Sequence, residues 1–193
     1  MASGTLEVMS ARALDSSWND IEIHERLLEW KEQRDETSRK LDSFAVVFGG
    51  PGGLDEAGFE RLMWQRLQRL VDKDSLLGGK LDPDVSGDAE DPHFAISIDG
   101  ASFFVVGLHP DASRPARRTP LPILVFNPHD QFERLREEGR FERMRERILT
   151  RDVAMSGSIN PMLADHGEAS AARQFSGRSV GKDWQCPFQD PRL

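Results

Sequence analysis

The chain has 193 residues, 38% of them hydrophobic, with 33 Asp and Glu against 25 Lys and Arg and a net charge of −8. That suits one domain over residues 1–193 with one core, and it argues against bulk nucleic-acid binding and against an anionic membrane surface. The single cysteine, Cys186, excludes an internal disulfide and every multi-cysteine zinc or iron–sulfur site, and no apolar run approaches the roughly 20 residues that span a bilayer.

The N-terminus, MASGTLEVMSARALDSSWND, lacks a basic start followed by an apolar core, so it does not read as a secretory signal, and a cytoplasmic location is expected. Residues 17–32 carry an apolar stripe from Trp18, Ile21 and Leu28 with Ser17 or Asn19 as caps, which predicts a helix. His24 within it is expected to be half-exposed. The charged stretch 31–42 reads as a helix end or loop. Phe44–Phe48 is a continuous apolar run and predicts a buried strand. GGPGG at 49–53 follows it and reads as a tight turn rather than a phosphate cradle, because neither GxGxxG nor GK followed by Ser or Thr is present.

A second helix is predicted over 55–73, capped by Asp55, with Phe59, Leu62, Met63, Leu67 and Leu70 facing the core. Residues 74–92 are rich in Gly, Asp and Pro and predict a long surface loop, a candidate lid, whose acids lack calcium-loop spacing. His93–Ile98, the Asp99-Gly100 pair and Phe103–Leu108 predict a β-hairpin, with His93 in a structural place at its start. Leu121–Phe126 predicts another strand, and helices follow over 129–138 and 140–150, broken at Gly139. The last forty residues show little periodicity and are expected either to be ordered by packing onto the rest or to stay mobile. This element order predicts an α+β fold: a mixed or antiparallel sheet of about four strands, helices before and after it, and an irregular tail.

The chemistry concentrates in residues 102–129. Two predicted strands there end in histidines beside prolines, His109 and His129, with Arg114, Arg117 and Arg118 between them. Loops leaving strand ends are where a rigid sheet presents reactive groups, and this rim could hold a metal or an anionic cofactor. Residues 112–151 carry ten Arg, no Lys and six Asp or Glu, hence +4, which leaves −12 for the remainder. Much of that segment alternates acids and arginines at helical spacing, as a solvated face does. Arg114, Arg117 and Arg118 have only Asp111 nearby, and suit a solvated loop and an anion site equally. Cys186, between Trp184 and Phe188, reads as a quiet thiol. No GxSxG or HExxH occurs.

Taken together, FFVVGLHPDASRPARR, NPHDQFERLREEGRFERMRERILTRD, GSINPML, RQFSGR and WQCPF resemble the YqcI/YcgG family, over about Phe44 to Phe188. Relatives in that family include haem-dependent enzymes that N-hydroxylate arginine or related guanidino compounds. The resemblance implies a haem-dependent oxygenase acting on an amino or guanidino group, or alternatively a degenerate member that holds haem or an anion without turnover. It implies haem b as cofactor and His109 or His129 as iron ligand, His109 first because the arginines follow it closely, with Cys186 a distant third. Arg114, Arg117, Arg118, Arg173 and Arg178 are the cations implied for the propionates. Acids for a cationic substrate are sought in Asp165, Glu168 or the 82–91 loop. The implied partners are a small guanidino or amino substrate and an electron donor the sequence does not name; a homodimer is allowed. The chain departs from the family in two places. It begins after the family's N-terminal Phe-Pro-Cys segment, and it has Ala171 and Phe175 where SEARQYSGR is common. If that glutamate anchors a cation, affinity here is expected to be poor.

Overall fold

A five-stranded sheet in the order β1-β2-β5-β4-β3 organises the fold. The computed structural model describes residues 4–35, 40–162 and 169–193. Strand β1 (Gly4–Ala11) runs parallel to β2 (Leu41–Phe48), and helix α1 (Asp20–Gln33) makes the crossover between them. The other pairings, of β2 with β5 (Ile123–Pro128), β5 with β4 (Ala101–Leu108) and β4 with β3 (Ile96–Ile98), are antiparallel. Helix α2 (Glu56–Leu76) precedes the hairpin; α3 (His129–Glu137), α4 (Phe141–Ser156) and the short α5 (Ala172–Phe175) follow the last strand. The expected mixed α+β architecture is present, with one strand more than the four expected.

The extra strand is β1. Apolar residues lie on both of its sides: Leu6 and Val8 are exposed, while Met9 and Ala11 face the core side together with half-buried Glu7, which pairs with Arg26 of α1 at 2.9 Å. A half-buried strand normally declares itself by apolar residues on its inner side, and β1 has a glutamate there.

The hairpin turn is as expected. Asp99 and Gly100 take φ of 44° and 74°, the left-handed pair that matches strand twist. Gly139 separates α3 from α4, also with positive φ. Asp55 caps α2 by accepting a 2.7 Å bond from Gly58 N.

Alternate residues of the strands face opposite sides. Phe44, Val46, Phe48, Phe103, Val105, Leu124 and Phe126 join Ile23, Leu27 and Trp30 of α1 and Phe59, Met63 and Leu67 of α2 in one buried core. Gly107 lies on this side because a Cβ there would come 2.7 Å from the Phe59 ring. The C-terminal segment closes over the far end of α2. Phe188 packs on Trp64 and Phe94, and Arg192 bonds Asp74 at 2.8 Å and the Ser97 carbonyl at 2.9 Å. His24 is not half-exposed as expected: it is 2% exposed and bonds the other Asp74 oxygen at 2.9 Å. Helix and tail thus converge on one buried carboxylate, which orders a tail without periodicity of its own.

Candidate functional site

The opposite side of the sheet is hollow. A cavity of about 730 Å³ lies between β4, β5, α3, α4 and the segments around residues 92–95 and 169–174. Its sheet side is Leu41, Ser43, Phe104, Val106 and Asn127; α3 and α4 add Phe132, Phe141, Met144, Ile148 and Leu149. The wall is therefore mainly apolar with a few polar groups, and the volume is that of a small-molecule or cofactor site.

Helix α3 is held to the sheet by Gln131. Its side chain accepts from Asp42 N at 2.9 Å and donates to Asp42 O at 3.2 Å, completing β2 where β5 no longer pairs with it. That bond fixes His129, the first residue of α3, on the cavity wall. His129 Nε2 lies 3.1 Å from Glu133 Oε1, one turn on. Burial holds its pKa below the ordinary imidazole value, against the opposing pull of Glu133, so the neutral ring is favoured.

Arg117 also lines the cavity. Its guanidinium donates to the carbonyls of Gly107 (3.0 Å), Phe175 (3.1 Å) and Gln174 (2.9 Å), and no carboxylate among the described residues pairs with it. Burial pulls its pKa down to about 10, with the field of Asp152 working against that and Arg114 adding to it. A desolvated guanidinium that spends its hydrogen bonds on carbonyls keeps its charge for whatever enters the cavity.

The remaining sequence-selected residues lie elsewhere. His109 is 1% exposed, stacks on Phe59 with centroids 4.4 Å apart, leaves Nδ1 without a partner among the described residues and does not line the cavity. Burial depresses its pKa too. Arg114 pairs with Asp152 and the Ser158 carbonyl, tying the end of α4 to the loop before β5. Arg118 donates to the carbonyls of Ala112 and Ser113. Arg173 holds the carbonyls of Gly181, Lys182 and Trp184, and Arg178 pairs with the buried Glu60. These four arginines brace loops and do not line the cavity. Cys186 lies outside it as well, and burial pushes its thiol up to about 12. Asp165 and Glu168 lie outside the described residues. The 82–91 loop contributes no acid to the lining.

Sequence reasoning missed several wall residues: His93, Asn127, Glu142 and Gln174. The signal for His93 was topological. β3 and β5 both flank β4, and the register sets Ile96 at the start of β3 level with Pro128 at the end of β5, so the chain entering β3 and the chain leaving β5 lie over the same stretch of β4. Among the described lining residues three are arginines, Arg117, Arg136 and Arg145, against one acid, Glu142. Nor do any three His, Cys, Asp or Glu side chains among the described residues come together as a metal site.

The fold and hollow define a mixed-sheet α+β protein with a large, mainly apolar, cation-lined pocket on one side of its sheet. The chain belongs to the YqcI/YcgG family, whose model matches residues 1–189. The match extends beyond the expected Phe44–Phe188 and takes in β1 and α1. No curated protein and no solved structure matches the chain. No helix among the described residues is long and apolar enough to cross a membrane.

Proposed function

We propose that this chain is a haem-binding protein whose cavity serves N-hydroxylation of an amino or guanidino group on a small molecule. The observation that carries the reading is the apolar cavity of about 730 Å³ with His129 and Arg117 on its wall, two residues singled out from sequence. A bare metal ion needs three or four protein ligands, whereas a porphyrin brings its own four nitrogens and asks the protein for axial ligands alone. A wall with imidazoles but no cluster of three metal-binding side chains among the described residues fits the second demand. Haem, when bound, would supply the activation of oxygen or peroxide. Of the chain's own residues, His129 in its neutral form would hold the iron, Arg117 would meet the acid arms, and Phe104, Phe132 and Phe141 would exclude water.

A second reading, haem or anion binding without turnover, has its own support. Ala171 lines the cavity at the place where the family resemblance leads one to expect a glutamate, and Glu142 alone offers a described acid to a cationic substrate.

Titrating the purified protein with haem tests the proposal. A Soret band is expected in the unsubstituted protein, altered by His129→Ala and unchanged by His109→Ala. Absence of the band at stoichiometric haem would sink the enzyme reading and the haem form of the second, leaving anion binding alone. If haem binds, arginine and simpler guanidines supplied with peroxide or a reductant separate them: a product heavier by one oxygen supports the enzyme, and none supports the binding module.

A further inference from the structure

Helix α4 walls the hollow without being packed into the fold. It contributes Phe141, Glu142, Met144, Arg145, Ile148 and Leu149 to the lining, yet its one buried residue is Asp152. Its inward apolar side chains meet open space where those of α2 meet packed rings, so lifting α4 away uncovers little surface that is now dry. Residues 74–91, expected to supply a lid, do not line the hollow.

Two glycines bracket the helix. Gly139 precedes it and Gly157 follows it, with φ of 64° and 73°. Hinges are short stretches that absorb a change of backbone angle, and a residue without a side chain does so with the least obstruction. A Cβ at either glycine would meet nothing within 4 Å, so the chain has room to turn at both. Near the first of them the described contacts are between neighbours: Arg140 with Glu138 at 2.6 Å and Arg136 over the Phe141 ring at 4.4 Å. A bond that reaches across the chain lies at the other end. Arg114 holds the Asp152 carboxylate and, at 2.6 Å, the Ser158 carbonyl, while Asn160 N donates to Asp152 at 3.0 Å. Neither Arg114 nor Asp152 lines the hollow, so this latch can be weakened without touching what binds there.

We infer that α4 is a hinged lid: it swings about Gly139, Gly157 frees its far end when the Arg114–Asp152 pair lets go, and this opening governs entry to the hollow. The inference rests on the reading of the hollow as a ligand site and adds its regulation. A ligand that fills the hollow gives the inner face of α4 a surface to pack on and so favours the shut state, whereas the empty protein opens more often.

Amide hydrogen exchange of the ligand-free protein, resolved by segment, is the test. Residues 141–156 are expected to exchange faster than residues 59–71 of α2. Asp152→Asn is expected to speed the first by about tenfold, the loss of one charge-assisted bond, and to leave the second unchanged. Arg114→Lys keeps the charge but not the fork, so it is expected to act in the same direction more weakly, and it serves should Asp152→Asn fail to fold. Saturating haem is expected to slow exchange in 141–156, and Asp152→Asn to take haem up faster than the unsubstituted protein. Four results overturn the inference: α4 exchanging as slowly as α2 in the ligand-free protein, a rise in the variants that α4 does not show or that α2 shares equally, haem bound without slowing α4, or haem uptake no faster in Asp152→Asn. Failure to bind haem removes the proposed function instead, and exchange in the ligand-free protein then decides the lid by itself.

Discussion

The two sides of the sheet are built from alternate residues of the same strands and end differently. On the α1 and α2 side, aromatic and branched residues interlock until Phe44, Phe103 and Phe126 have no exposure at all. On the α3 and α4 side, Phe104 and Val106 border open space, and α4 buries a single residue, Asp152. Helix α4 leaves Ile148, Val153 and Met155 substantially exposed. It is held at its far end by polar bonds, Arg114 to Asp152 and Asn160 N to Asp152, rather than by a packed apolar stripe. One side of the sheet stabilises the fold; the other keeps a hollow, at the cost of the burial that filling it would have given.

The largest expected effect follows from that contrast. Phe103→Ala should destabilise the protein by about 3–5 kcal/mol, because it removes a fully buried ring from a close-packed core. Val106→Ala, three residues along on the cavity side, should cost under about 1.5 kcal/mol, since only two methyl groups go and part of their surface already meets open space. Urea denaturation of both variants measures the pair. Equal losses would mean that the two sides are packed alike and that the cavity closes in solution.

A smaller effect, of about 1–3 kcal/mol, is expected from Gly107→Ala. Its new methyl would lie 2.7 Å from the Phe59 ring and 3.1 Å from the Met63 sulfur. Either β4 or α2 must then shift. The same denaturation experiment applies, and a neutral result would show slack where the core looks tight.

The central strands were legible because one face meets the core and the other the apolar cavity wall, which writes continuous apolar runs such as FAVVF and FFVVGL. Strand β1 was not, because its inward Glu7 answers Arg26, a partner that only the tertiary fold supplies. The site was half legible for a related reason. A histidine beside a proline at a strand's end marks a place where the chain leaves the sheet, and both His109 and His129 have that mark. Sequence does not say on which side the chain leaves. His129 turns into α3 over the hollow, and His109 turns onto Phe59. The arginines misled in the same way: with few acids near in sequence, they looked free to meet a ligand. In the fold Arg114 and Arg178 find Asp152 and Glu60, 38 and 118 residues away, Arg118 bonds carbonyls of its own loop, and Arg173 of α5 bonds those of Gly181, Lys182 and Trp184.

His109 supplies the smallest effect and the finest test of the two-sided picture. Buried against Phe59, it has a pKa depressed below 6.5 by desolvation, only partly offset by the carboxylates of Glu56, Asp111 and Asp55. The unfolded chain therefore takes up this proton more readily than the folded one. The sign follows: the contribution is fully present above about 6.5 and is lost as pH falls through the depressed folded value. His129 is depressed as well, and it adds to the same acid-side loss. Replacing His109 with Phe keeps a ring on Phe59 and removes one of the two titrations, so the fall in stability between pH 7 and pH 5 should become shallower without disappearing. Urea midpoints across that range measure it. An unchanged slope would place His109 in contact with water, and with that the distinction between a core histidine and a cavity histidine would fail.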